Sequence, residues 1–214
     1  MPVQKKKILQ ELAALYPNPK SELHFSNPYE TLVATILSAQ CTDVRVNMVT
    51  PAVFRDFPTV EAMAAATPEI LYPYVKSCGF KSKATNIVHA SRIIVDQYQS
   101  TVPTSMEELT SLPGVGQKTA NVVRANAFQI PSFAVDTHVF RVSNRLGLAN
   151  AKTVEKTEEQ LKVAVPKKDW IDAHHWLILH GRRVCSARSP KCTVCTLNPY
   201  CKYYKTTTSS TKKG

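Results

Sequence analysis

Four cysteines lie close together near the C-terminus of this 214-residue sequence. Cys185, Cys192, Cys195 and Cys201 follow the spacing C-x6-C-x2-C-x5-C. Four thiolates at such short intervals suit either one tetrahedral metal ion or the irons of a single cluster. The polar segment 186–191 argues against four unrelated core cysteines. Zinc sites commonly pair their ligands in two short knuckles, so the single C-x2-C favours an iron–sulfur cluster while zinc stays open.

The loop between the first two of these cysteines carries two cations, Arg188 and Lys191. Metal bonds at both ends would hold this loop rigid, and we predict that it contacts DNA phosphates. The alternative interpretation is a solvated basic loop. The two remaining cysteines, Cys41 and Cys78, stand apart in the sequence and are predicted to be buried apolar residues.

A glycine-containing turn, LPGVGQKTA at residues 112–120, joins two predicted helices. Pro113 ends the first helix, and Gly114 and Gly116 permit a tight turn with positive φ. The second helix then begins with its free amides and its dipole directed at the turn. These features predict a site for a phosphate group, which carries no base information.

Lys118 follows the second glycine of this turn by two residues. One interpretation is a surface lysine at a helix start, where a cation opposes the helix dipole. The other is a nucleophile, since the same opposition together with partial burial would favour the neutral amine. Such an amine can attack C1′ of a nucleotide, displace the base and hold the sugar as a Schiff base.

Asp136 stands where the apolar run 133–135 meets a predicted helix, which is an N-cap position. Capping alone would explain this residue. A carboxylate there can also stabilise positive charge on a deoxyribose or assist proton transfer from Lys118. The histidines nearby and downstream are interpreted first as packing or hydrogen-bonding residues: His138, His174, His175 and His180.

The charge of the chain favours a polyanionic partner. Lys and Arg number 27 against 16 Asp and Glu, a net charge of +11 and a pI near 9.4. No apolar run reaches the roughly 18 residues that a membrane-spanning helix requires. The basic N-terminus leads into an amphipathic stretch and not into an apolar signal core. We therefore expect a protein of the reducing cytosol, without disulfides.

The hydrophobic pattern predicts an all-α fold, because period-two alternation is absent. Capping residues followed by proline or an acidic residue predict helix starts at Asn27, Thr42 and Thr67, the last helix ending near Gly79. Further helices are predicted over 84–98, 105–112, 118–128, 137–146, 153–163 and 169–184. The Lys-, Thr- and Ser-rich tail, 205–214, is predicted to be disordered.

Four features together resemble the endonuclease III family of the helix-hairpin-helix glycosylase superfamily. They are the stretch LSAQ at 37–40 with Thr42-Asp43, the turn at 112–120, VDTH at 135–138 and the cysteine spacing. The resemblance implies a six-helix barrel over 21–130 and a cluster domain formed by 1–20 and 131–204, with DNA in the groove between them. It also implies a [4Fe-4S] cluster, oxidised pyrimidines as substrates, and a monomer acting on damaged duplex DNA.

The same resemblance implies roles for individual residues. Lys118 matches the family's Schiff-base nucleophile, and Asp136 matches its essential carboxylate. Gln40 matches the side chain that fills the gap left by the extruded nucleotide, because chemistry on a base requires extrusion. Other expected DNA contacts are Thr42, Asp43, Leu112, Gly114, Val115, Gly116, Thr119 and His138.

One loop departs from the family pattern. The loop after Gly79 is one residue shorter than usual, so either Phe80 or Lys81 is the candidate for a second wedge side chain.

Two other functions compete with the lyase interpretation. The first is an adenine-mismatch glycosylase, but those relatives generally lack the hairpin lysine and have an extra C-terminal domain. The second is a non-catalytic DNA-binding module that the cluster stabilises. Only the lyase interpretation predicts β-elimination at an abasic site.

Overall fold

The computed structural model describes residues 2–210, and within them every regular element is helical, which confirms the all-α prediction. The helices are α1 (Val3–Leu15), α2 (Pro28–Leu37), α3 (Asp43–Asp56), α4 (Val60–Ala65), α5 (Pro68–Val75), α6 (Ser82–Tyr98), α7 (Met106–Ser111), α8 (Gln117–Phe128), α9 (Thr137–Leu146), α10 (Val154–Ala164), α11 (Trp170–Arg183) and α12 (Lys202–Ser210). Among these described helices, none is both long and apolar enough to cross a membrane.

The predicted helix starts coincide with side-chain caps. Asn27 accepts a hydrogen bond from the Glu30 amide at the start of α2, where Pro28 occupies the first helical position. Thr42 and Thr67 cap α3 and α5 in the same way. Each cap satisfies an amide that has no partner within its own helix. The local sequence therefore determines where these helices begin.

The predicted disorder of the tail from residue 205 is wrong for residues 205–210, which continue α12. Tyr203 and Tyr204 pack against the core at the start of this helix, and the Arg145 guanidinium lies 4.6 Å from the Tyr203 ring centre. The hydroxyls of Thr207 and Thr208 donate to carbonyls one turn earlier. Two anchored tyrosines thus support a helix that composition alone does not predict, while residues 211–214 lie outside the described part.

One compact unit comprises residues 21–130 and contains α2 to α8. Nearly every residue of α2 is buried, so this helix lies in the centre of the unit. The core around it includes Leu37, Met63, Ile87 and Leu109. The short helix α4, which the sequence pattern did not predict, begins at the Thr59 cap and packs against α6.

The other unit comprises residues 2–20 together with 131–210. The N-terminal helix α1 packs against α11, and its Ile8 and Leu12 join Phe133 and Leu177 in a second core. Helix α9 also packs on α11, at Gly181. A Cβ atom at this glycine would lie 3.0–3.1 Å from atoms of the α9 side chains, so a larger residue would require these side chains to shift.

His175 on α11 gives the stability of the fold a dependence on pH. Burial, with the neighbouring His174, lowers the pKa of His175 to about 3 from an ordinary value of 6.5. Between these values the unfolded chain binds one proton more than the folded chain, so the free energy of unfolding falls as the pH falls below 6.5. We expect this histidine to contribute a loss of roughly 2 kcal/mol between about pH 7 and about pH 4.5.

Urea unfolding of the natural chain and of His175→Phe at both pH values measures this contribution. Phenylalanine fills a similar buried volume but takes up no proton. The substitution is therefore expected to reduce the difference in unfolding free energy between the two conditions. An unchanged difference would show that His175 does not carry this pH dependence.

Candidate active site and cysteine pocket

The glycine turn between α7 and α8 depends on Gly114 and a neighbour from α6. Gly114 has φ +79°, and a Cβ atom there would lie 3.0 Å from the Asn86 side chain. The Val115 amide donates to the Leu112 carbonyl at 3.1 Å and closes the turn. The prediction of positive φ holds for Gly114 but is wrong for Gly116, which has φ −90° as the N-cap of α8. Nothing in the sequence around Asn86 indicates that it packs against this turn.

The N-terminus of α8 is open toward solvent. No side chain among the described residues caps it at Gly116, and a Cβ atom at this position would meet nothing within 4 Å. The first amides of a helix have no partner inside the helix. An outside acceptor such as a phosphate oxygen can therefore approach these amides, including those of Lys118 and Thr119.

Two residues expected at the DNA surface are buried. Leu112 is 2% exposed and Val115 is 5% exposed, because both belong to the hydrophobic core of the 21–130 unit. The predicted DNA contacts at these two residues are therefore expected to involve the main chain and not the buried side chains. Apolar residues in a tight turn anchor it to the core.

Lys118 lies in the first turn of α8 with its side chain exposed, so the expected partial burial is wrong. The reason is the position of Lys118 on the helix. The buried face of α8 consists of Ala120, Asn121, Val123 and Ala125, and Lys118 precedes it. The amine is thus accessible to a substrate at the helix end that the glycine turn leaves uncovered.

The two glycines of the turn should respond differently to alanine. Alanine at position 114 would have to adopt the positive φ of the glycine and would press its methyl group against the Asn86 side chain. We therefore expect Gly114→Ala to lower the free energy of unfolding by about 1–3 kcal/mol. Gly116→Ala is expected to change stability by no more than about 0.5 kcal/mol but to weaken duplex binding, since the methyl group obstructs close approach of a phosphate. Chemical denaturation with DNA titration measures both, and equal effects of the two variants would contradict the assignment.

Asp136 is the N-cap of α9, as its sequence position predicts. Its Oδ1 accepts a hydrogen bond from the Val139 amide at 2.7 Å. Within the described part of the chain Oδ2 has no hydrogen-bond partner, and the residue is partly exposed. His138, two residues on, lies 3.1 Å from an Arg141 nitrogen through its Nδ1. The capping bond fixes the carboxylate and leaves one oxygen for a substrate.

Gln40 lies in the exposed connection between α2 and α3. Its φ is +54°, an uncommon conformation for a residue other than glycine. Thr42 caps α3 through its hydroxyl, and Asp43 is the first residue of that helix. The connection after α5 belongs to the same unit and presents Phe80, whose surface is 69% exposed. Both segments thus offer a side chain to solvent.

The four C-terminal cysteines line a single pocket of the second unit. The pocket is partly open to solvent, and its walls include Leu146, Tyr203 and Tyr204. Within residues 2–210, no three His, Cys, Asp or Glu side chains converge on a point that could hold a single ion. Burial raises the pKa of Cys192 and Cys195, so a metal that binds them must displace their protons.

Two side chains that sequence reasoning did not select contact the pocket sulfurs. Arg145 on α9 places Nη1 3.5 Å from Cys185 Sγ and also donates to the carbonyls of the following loop. His180 Nε2 lies 3.6 Å from Cys195 Sγ, and its Nδ1 lies 3.1 Å from the Tyr16 hydroxyl. Burial lowers the pKa of His180 to about 4, so the ring is neutral at pH 7.

The loop between Cys185 and Cys192 is held by main-chain and side-chain hydrogen bonds. Arg141 donates from Nε to the Cys185 carbonyl at 3.1 Å, and the Lys191 amide donates to the Val184 carbonyl at 3.0 Å. Arg188 and Lys191 both expose their side chains on this loop. The loop therefore presents two cations on a fixed main chain, and their contact with DNA stays a prediction.

Comparison with known sequences finds close relatives along nearly the whole chain. The family model described as HhH-GPD superfamily base excision DNA repair protein matches residues 33–167. Endonuclease III of Rickettsia conorii is 48% identical over 199 residues, which are 92% of this chain and 95% of the relative. Endonuclease III of Escherichia coli K12 is 47% identical over 197 residues, 92% and 93% of the two chains.

Solved structures agree with the sequence relatives. A trapped endonuclease III–DNA covalent intermediate is 40% identical, with a TM-score of 0.89 over 97% of this chain and 100% of the other. A non-covalent endonuclease III–DNA complex matches with a TM-score of 0.90 over 98% and 100%. Because the family model matches more than half of the chain and these relatives cover most of it, this chain belongs to the endonuclease III family of the HhH-GPD superfamily of base excision DNA repair proteins.

Proposed function

We propose that this chain, a DNA glycosylase with abasic-site lyase activity, removes oxidised pyrimidines from duplex DNA through Lys118 and Asp136. The observation that carries the proposal is the exposed Lys118 amine at the uncapped start of α8, directly after the glycine turn. A phosphate bound to the helix amides would place a neighbouring sugar within reach of this amine. The relative trapped as a covalent intermediate with DNA supports a covalent mechanism.

Binding and extrusion come first in the proposed reaction. Main-chain amides around Gly114 and Gly116 hold the DNA backbone without reading its sequence. The exposed Gln40 side chain fills the space of the extruded nucleotide. Arg188 and Lys191 contact phosphates from the cysteine loop. Thr42, Asp43, Thr119 and His138 are assigned supporting contacts along the same duplex.

The covalent step uses the lone pair of the Lys118 amine. The amine attacks C1′, and the base leaves with the electrons of the glycosidic bond and takes up a proton. Loss of a proton from the attached nitrogen and opening of the sugar ring give the Schiff base. Abstraction of a proton at C2′ then eliminates the 3′ phosphate. Asp136, with one free oxygen, stabilises the positive charge that develops on the sugar.

The cysteine pocket fits an iron–sulfur cluster by the chemistry of its donors. Its four candidate ligands are all thiols, and they line one pocket. We propose that Cys185, Cys192, Cys195 and Cys201 hold a [4Fe-4S] cluster, which supplies a structural cross-link when it is bound. The Arg145 guanidinium beside Cys185 Sγ would compensate the negative charge of the thiolates. His180 Nε2 would donate to Cys195 Sγ in the tautomer whose Nδ1 accepts from the Tyr16 hydroxyl.

Arg145 should affect retention of the cluster. Arg145→Met removes the contact with Cys185 Sγ and two hydrogen bonds to the loop, so we expect about a 10- to 100-fold faster loss of iron on exposure to a chelator. Arg55→Met on α3 removes the same charge from the other unit and is expected to behave like the natural chain. Iron content against time measures the effect, and equal rates in all three proteins would contradict it.

In this proposal the two units are the barrel domain and the cluster domain of a monomer that acts on chromosomal DNA in the bacterial cytosol.

The proposed function is tested with a panel of duplexes that contain thymine glycol, an adenine mismatch or a preformed abasic site. Base release from thymine glycol with strand cleavage at the abasic site is expected. Release of adenine alone would indicate the mismatch glycosylase, and binding without any release would indicate a DNA-binding module.

A further inference from the structure

Lys83 in α6 is buried and donates hydrogen bonds only to main-chain carbonyls. Its side chain lies in the core of the 21–130 unit, with 8% of the residue exposed. The ammonium donates to the Leu37 carbonyl at 2.8 Å, to the Cys78 carbonyl at 2.6 Å and to the Ala39 carbonyl. A lysine has three N–H donors, so all of them are used. In the described part of the chain no carboxylate forms a salt bridge with it.

The three carbonyls come from two segments that are distant in sequence. Leu37 is the last residue of α2, where a helix carries partial negative charge, and Ala39 lies two residues beyond it. Cys78 ends the short 3-10 turn Lys76–Cys78 after α5. One ammonium therefore ties the two segments together.

Each tied segment continues directly into an exposed side chain. Gln40 follows Ala39 with φ +54°, and Phe80 follows Cys78 after Gly79, whose φ is +116°. A non-glycine residue keeps a left-handed conformation only where its surroundings hold it there. The carbonyl bond immediately before Gln40 supplies such a constraint, and the bond at Cys78 does the same for the start of the shortened loop.

We propose that Lys83 is a positioning residue for base extrusion, which holds the two segments so that Gln40 and Phe80 enter the duplex together. This inference rests on the proposed function, because it requires that these side chains act on DNA. Because Lys83 is buried, its proposed role is to hold the two segments in place and not to contact the DNA. It also assigns the second wedge of the shortened loop to Phe80, which is mostly exposed.

The test compares Lys83→Met with the natural chain in two reactions. Excision of thymine glycol requires extrusion of a paired base, whereas cleavage of a preformed abasic site in a duplex has no base to extrude. We expect single-turnover excision to fall by about 10- to 100-fold and abasic-site cleavage to change by less than about threefold. Lys156→Met, which removes an exposed lysine on α10, is the charge-matched control.

A double-mutant cycle separates positioning from a general loss of structure. If Lys83 acts through Gln40 and Phe80, then Lys83→Met should cause little further loss of excision in a background that carries both Gln40→Ala and Phe80→Ala. Multiplicative losses would overturn the inference, as would equal losses in both reactions. Should Lys83→Met fail to fold, Lys83→Gln keeps two of the donors and is expected to show the same selective loss to a smaller extent. If the natural chain performs neither reaction, the proposed function itself fails.

Discussion

A chain with alanine in place of Lys118 is expected to bind damaged duplex DNA without releasing the base or cleaving the strand. The substitution removes the only atom that the proposal uses as a nucleophile, so we expect both single-turnover rates to fall by at least about 10³-fold. The fold should be unaffected, because Lys118 is exposed and alanine is a good helix former. Gel-based assays of base release and strand cleavage measure the loss.

The control for this variant is another exposed lysine in a helix. Lys156→Ala removes an equal charge from α10 and should keep both activities. DNA affinity of the two variants at one salt concentration shows whether a lost charge alone has an effect. Strand cleavage by Lys118→Ala within about tenfold of the natural rate would contradict the assignment of the nucleophile.

Asp136→Asn is expected to keep the fold and to lose most of the base-release activity. Asparagine caps a helix as well as aspartate does, so the hydrogen bond to the Val139 amide can be retained. The negative charge is lost, and with it the stabilisation of the cationic sugar. We expect base release to fall by about 10²- to 10⁴-fold while the midpoint of thermal unfolding hardly changes.

Comparison with two further variants distinguishes capping from catalysis at Asp136. Asp136→Ser retains a capping oxygen without charge and should resemble Asp136→Asn in both measurements. Asp136→Glu retains the charge but caps poorly, so it should lower stability by about 1 kcal/mol. Full activity of Asp136→Asn would show that this residue is a cap and nothing more.

Features encoded by neighbouring residues were predictable from the sequence. The caps at Asn27, Thr42 and Asp136 act within three residues of the helix start, so each pattern contains its own structural cause. The four cysteines were recognisable by their spacing, since ligands of one centre need short connecting loops. The glycine turn was recognisable too, although only Gly114 adopts positive φ.

The supporting residues were not predictable, because their partners are distant in sequence. The Lys83 ammonium reaches a carbonyl 46 positions away, and Arg145 reaches Cys185 across 40 positions. Nothing within a sequence window distinguishes these residues from surface cations. The helix over 202–210 was missed for a related reason, since two tyrosines anchor it to a core formed elsewhere in the chain. Tertiary contact, and not local propensity, decides such cases.

The central claim, that Lys118 forms a covalent bond with the sugar of a damaged nucleotide, is tested most directly by borohydride trapping. The natural chain and Lys118→Ala are each incubated with a duplex containing thymine glycol, and borohydride reduces any Schiff base to a stable amine. An adduct with the natural chain alone, located at Lys118 by peptide mass analysis, is the predicted result. No adduct with the natural chain despite DNA binding and a full complement of iron, or an adduct that survives in Lys118→Ala, would contradict the account.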